Sequence, residues 1–153
     1  ERFITGIAGR RNFTIFTLQK RNMNTTTTLR NALEIFDRYK APVEHITLGL
    51  DSFALVVSTT ALGDAVYDVM ADIQKTCRPD DIQLQDGIAL VAAVGRKMSS
   101  RPGISGRLFS ALGNHGVNIR TIAQGADELS IIVGVENHKF DTAIKVLYEG
   151  FAG

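Results

Sequence analysis

Residues 101–125, RPGISGRLFSALGNHGVNIRTIAQG, lie without a gap on residues 25–49, TTTTLRNALEIFDRYKAPVEHITLG, after a shift of 76 positions. The shift pairs Leu33 with Phe109, Phe36 with Leu112, Val43 with Ile119, Ile46 with Ile122, Gly49 with Gly125 and Leu55 with Ile131. With two further inserted residues the match runs on, Leu62 onto Phe140, Val66 onto Ile144 and Val69 onto Leu147. Apolar positions recurring at a fixed separation mark an internal duplication.

Each copy reads in the same order. In the first, residues 12–19 alternate like a strand, and a threonine-rich segment, NMNTTTT (22–28), reads as a hydroxyl-rich cap before a helix at 29–40. Ala41-Pro42 ends that helix, because the residue before proline avoids the helical region. Strands at 43–50 and 52–58 meet at a tight turn near Leu50-Asp51; a helix at 61–76 and a short strand at 81–85 follow. The order βαββαβ predicts an α+β, ferredoxin-like unit. The second copy repeats it with a strand at 87–95, a helix at 104–112, strands at 117–124 and 128–135, and a helix at 140–151, but has no fourth strand. RFITGIAG (2–9) has no counterpart in the first copy's scheme, so residues 2–8 are expected to complete the second half. The expected domains are 11–85, and 2–8 with 86–153, interleaved in the chain.

Composition narrows the function. Seventeen Lys plus Arg against sixteen Asp plus Glu give a net charge of +1, too balanced for a protein that neutralises nucleic-acid phosphates. Cys77, the one cysteine, reads as a buried thiol and suits a reducing cytoplasm. No apolar run approaches the ~18 residues of a membrane span. The chain starts at Glu1 rather than Met, close to a strand, and reads as a piece of something longer. His45, His115 and His138 are scattered and read as surface or strand-end residues; the Arg and Lys pairs at 10–11 and 20–21 read as solvated strand ends. No dinucleotide or triphosphate fingerprint, nucleophile elbow or metal-ligand spacing is present, so no catalytic residue and no metal is expected. The loops before the first helix of each half, 22–28 and 98–104, are expected to face the end of the second strand. There a helix N-terminus favours an anion such as an amino acid's carboxylate. Gly103 and Gly106 allow either close ligand approach or tight packing.

RPGISGRLFSALGNHGVNIRTIAQGADELSIIVGVEN and FDTAIKVLYEGF resemble the second ACT domain of aspartokinases. The Ile122-Ala123-Gln124-Gly125 run is similar to the form in bifunctional aspartokinase/homoserine dehydrogenases, and RRNFTIFTLQKRNM resembles the first ACT domain of the lysine-sensitive type. The resemblance implies a cytoplasmic, homodimeric regulatory region that binds an end-product amino acid, lysine or threonine, and inhibits aspartate phosphorylation. ATP and Mg would belong to an absent kinase domain, and this piece would carry no cofactor. The effector positions it implies are Met23, Thr25, Thr26 and Leu29 on the loop and helix start, Val43 and Glu44 on the second strand, and Gly49, Leu50 and Asp51 after it. A second site would involve Arg101, Gly103, Ile104, Asn118, Ile119 and Gln124. The alternative reading is a dimerisation module with no ligand of its own.

Overall fold

A computed structural model describes residues 4–95, 104–124 and 130–152. Strand β1 (Ile4–Gln19) is followed by helix α1 (Thr25–Arg38), β2 (Val43–Gly49) and β3 (Ser52–Ser58). A short α2 (Thr59–Leu62) and a 3-10 turn lead to α3 (Val66–Cys77) and β4 (Asp81–Gly95). After α4 (Ile104–Asn114) come β5 (Ile119–Gln124), β6 (Ser130–Glu136) and α5 (Phe140–Leu147). The chain divides into two compact units, Asn12–Asp86, and Glu1–Arg11 with Gly87–Gly153.

In the Asn12–Asp86 unit the strand order is β2-β3-β1-β4, and in the other it is β1-β4-β6-β5. Both are the ferredoxin-like arrangement. Where the sequence predicts four separate strands at 2–9, 12–19, 81–85 and 87–95, the structure has two long ones, β1 and β4, each divided between the units. The division falls at Asn12 (φ 72) and Gly87 (φ 68), two left-handed residues inside otherwise extended strands. Asparagine and glycine tolerate that conformation best.

Each unit buries its own core under two main helices. In the Asn12–Asp86 unit Phe16, Leu18, Ile35, Phe36, Phe53, Leu55, Val69 and Ile73 pack together, with the Phe16 and Phe36 rings edge to face at 5.0 Å. In the other, Ala89, Val91, Leu108, Leu112, Val133, Val135 and Leu147 do so, and Ile7 packs against them. Edge-to-face aromatic pairing adds directional preference to the burial of both rings.

The registers place the duplication in three dimensions and correct one detail of it. Phe16 pairs with Leu55 and Ile46 with Leu55, while Val91 pairs with Val133 and Ile122 with Val133. Leu55 therefore corresponds to Val133, not Ile131, and the two inserted residues fall between β5 and β6 rather than after β6. The shared burial pattern of β3 and β6 agrees, alternating at first and then burying three residues in a row. Both second strands carry an irregularity at the matching place, between Val43 and His45 and between Ile119 and Thr121. An extra residue there bends an edge strand and resets which side chains face the helices.

Other expectations shift at element ends. Helix α1 begins at Thr25, four residues before the predicted start, because Asn24 rather than a threonine is the cap. The expected helix at 61–76 is broken at Gly63 (φ 53), and α5 ends at Leu147 in a wider final turn at Tyr148–Ala152. Arg11 is no strand end. It lies within β1, its guanidinium 2.9 Å from Asp141 and 4.6 Å from the centre of the Phe140 ring. His45 lies inside β2 half-buried, whereas His115 and His138 are exposed.

Helices α1 and α4 terminate alike. Ala41 N–H donates to Phe36 O and Val117 N–H to Leu112 O, each at 3.0 Å, and the residue before each donor, Lys40 (φ 56) or Gly116 (φ 74), is left-handed. This is the Schellman closure, for which glycine is the favoured residue. Lys40→Gly is expected to raise stability by about 0.5–1 kcal/mol and Gly116→Lys to lower it by about 1–2 kcal/mol in denaturant unfolding.

Candidate functional site

The first turn of α1 has four backbone N–H groups without carbonyl partners inside the helix. Asn24 meets one of them, its Oδ1 accepting from Thr27 N at 3.1 Å, while its carbonyl accepts the first intrahelical bond, from Thr28 N at 2.9 Å. The N–H groups of Thr25 and Thr26 are left for a ligand, at the end of the helix where the dipole is positive. These two residues line one end of an open groove of about 600 Å³ that runs along α1. Leu29, Leu33 and Leu48 of β2 give it an apolar floor, and Arg30, Glu34 and Asp37 its charged rim. Residues 26, 30, 33 and 37 recur at helical spacing, so one face of α1 supplies most of the groove. Such a surface suits a small zwitterion with an apolar or cationic side chain: donors for a carboxylate at one end, hydrocarbon in the middle, carboxylates beyond.

Of the sequence-predicted effector residues, Thr25, Thr26 and Leu29 line this groove. Met23 does not; its side chain is 9% exposed and belongs to the core, so only its backbone could serve a ligand. Val43 also packs against the core. Glu44 is the residue bypassed at the β2 irregularity, exposed and outside the groove. Gly49 closes β2, Leu50 is 95% exposed, and Asp51 (φ 54) holds the turn. Arg30, Leu33, Glu34, Asp37 and Leu48 were not anticipated. The helical periodicity that turns Ile35 and Phe36 to the core leaves Arg30, Glu34 and Asp37 facing outward, which was a usable signal, while Leu33 packs partly against the core beside them.

In the second half, Arg101 and Gly103 lie outside the described residues. Ile104 opens α4, Asn118 is exposed, Ile119 packs against the core, and Gln124 ends β5 opposite Ile131.

Side-chain links brace the helix carrying the groove. Tyr39 at the end of α1 donates its hydroxyl to Asp72 of α3 at 2.6 Å, which pushes the phenol pKa up. Cys77 is buried against the carbonyl of Thr28, its Sγ at 3.8 Å, and burial pushes its pKa up, with Lys20 opposing. It therefore stays a thiol at neutral pH, neither a ready nucleophile nor a thiolate ligand. Among the described residues no group of three or more His, Cys, Asp or Glu could hold a metal ion. No described helix is long and apolar enough to cross a membrane.

The ACT domain family model matches residues 91–151. That segment is an ACT domain. Aspartokinase 3 of Bacillus subtilis is 28% identical over 97% of this chain and 33% of its own length. The crystal structure of Clostridium acetobutylicum aspartate kinase matches with 39% identity and a TM-score of 0.90, over 97% of this chain and 35% of that one. Escherichia coli aspartokinase III, crystallised with lysine and aspartate in its T-state, matches with 25% identity and a TM-score of 0.77, over 99% of this chain and 34% of that one. The chain thus spans about a third of the length of the aspartokinases that it matches from end to end.

The accounting of N–H groups at α1 is open to test. Asn24→Ala is expected to cost about 1 kcal/mol in unfolding free energy and Asn24→Asp close to nothing, since aspartate caps equally well.

Proposed function

We propose that this chain is the amino-acid-sensing regulatory module of an aspartate kinase, binding lysine or threonine and thereby lowering phosphorylation of aspartate in feedback control of lysine, threonine and methionine synthesis. The observation that carries the reading is the groove on α1, with the Thr25 and Thr26 N–H groups at one end and the carboxylates of Glu34 and Asp37 further along. The lysine in the T-state crystals of E. coli aspartokinase III, a relative along nearly the whole chain, supports an amino-acid ligand for this fold. The kinase site, with its ATP and Mg, would lie in another part of the protein.

Ile46 and Leu48 stand 41% and 62% exposed on edge strand β2 and continue into Leu50 at 95%. An uncovered apolar edge favours strand pairing with a second copy. We therefore propose a homodimer joined through this edge, which would bring a second β2, and with it a second Glu44, towards the groove. The same edge favours the alternative reading of a dimerisation module without a ligand.

A thermal-shift series separates the two. Lysine or threonine at about 100 times its Kd should add about 2.7 kcal/mol, roughly 5–10 °C in Tm for a chain of this size. No shift with either would leave only the dimerisation module. Glu44→Ala should abolish a lysine shift and spare a threonine shift; equal loss of both would make Glu44 a structural residue.

A further inference from the structure

The connection from β1 to α1 is held by groups that lie outside it. Lys20 N–H donates to the carbonyl of Asp51 at 3.0 Å, Arg21 N–H to Oδ2 of Asp80 at 2.6 Å, and Asn22 N–H to Oδ2 of Asp51 at 3.3 Å. Three consecutive loop donors thus end on two aspartates, one in the β2–β3 turn and one just ahead of β4. Asp80 also returns its own N–H to Gln19 O at 2.8 Å, and Lys20 Nζ donates to the Cys77 carbonyl at the end of α3 at 2.7 Å. Asn22 (φ 55) and Asp51 (φ 54) are both left-handed, a conformation that asparagine and aspartate tolerate better than most residues. Met23 is buried next, and Asn24 caps the helix. Every residue from Lys20 to Asn24 is accordingly tied down before the groove begins.

We propose that Asp51 and Asp80 are positioning residues for amino-acid binding at the α1 groove, acting through the Lys20–Asn22 loop. The inference rests on the function proposed above. Sequence resemblance places Asp51 among the ligand contacts, but both its carbonyl and its carboxylate are engaged by the loop. Hydrogen bonds to a carboxylate are stronger than neutral ones, so two such anchors fix the direction of the Thr25 and Thr26 N–H groups in advance. A ligand that meets an ordered loop avoids the ordering cost that a loose one imposes on binding.

The test is calorimetric titration of the chain and its variants with L-lysine and with L-threonine, beside amide hydrogen exchange without ligand. Asp51→Gly keeps the left-handed turn and the carbonyl but removes the carboxylate; Asp80→Ala removes the other anchor. Each is expected to weaken binding of whichever amino acid the parent chain takes by about tenfold and to speed exchange at Asn22 or Arg21 respectively. Asp51→Asn and Asp80→Asn keep an acceptor oxygen and should restore most of the affinity. Asp80→Glu, which keeps the charge but moves the acceptor, should bind more weakly than Asp80→Asn, and it serves if the alanine variant does not fold. Glycine and alanine variants that bind like the parent, asparagine variants as weak as these, or unchanged exchange would overturn the positioning role alone. A parent chain that binds neither amino acid would overturn the proposed function and this role with it.

Discussion

The fold depends on one backbone constraint met twice. Two strands of about fifteen residues each serve both units, and where each passes from one to the other it adopts a left-handed residue, Asn12 in β1 and Gly87 in β4. An ordinary strand keeps alternate side chains on one face for its whole length. Here the alternation changes parity: Phe16 and Leu18 face the helices in one unit and Ile7 in the other, while in β4 Ile82 and Leu84 give way to Ala89, Val91 and Ala93. Asn12 and Gly87 lie 75 positions apart, close to the offset of 76 that aligns the helices, so the duplication carries the special conformation with it.

That duplication was the most legible feature of the sequence, because repeated apolar positions survive where polar ones drift. Leu33 with Phe109 and Phe36 with Leu112 give both copies their helix, and the order of elements follows. Less legible was anything set by single hydrogen bonds. Lys40 and Gly116 terminate their helices in the same way, yet only the glycine announces it. The start of α1 was obscured by four threonines, poor helix formers in an interior but acceptable in a first turn that Asn24 caps. The extra residues at Glu44 and Arg120 have no sequence signature, and the one at Glu44 moves Ile46 and Leu48 onto the helix side of β2, where Leu48 meets the groove.

The candidate site was legible only in part for the same reason. Thr25, Thr26 and Leu29 fall in the groove because a helix N-terminus can be located from its cap and its periodicity. Met23 and Asp51 were assigned to a ligand but are used by the protein itself, one as core and one as an anchor for the loop. The electrostatic character of the groove comes from Arg30, Glu34 and Asp37, three charges on a helix face that alone would pass for solvated surface. Their meaning comes from the two N–H groups that Asn24 leaves at the same groove's end.

The central claim is that an amino acid is held at the α1 groove of the first copy. Backbone amide shifts followed by NMR during titration with L-lysine, then L-threonine, address it most directly. The account predicts perturbations concentrated at residues 23–30 and around Leu48, with the Thr25 and Thr26 amides moving most. Perturbations centred instead on residues 101–119, or none with either amino acid, would contradict it.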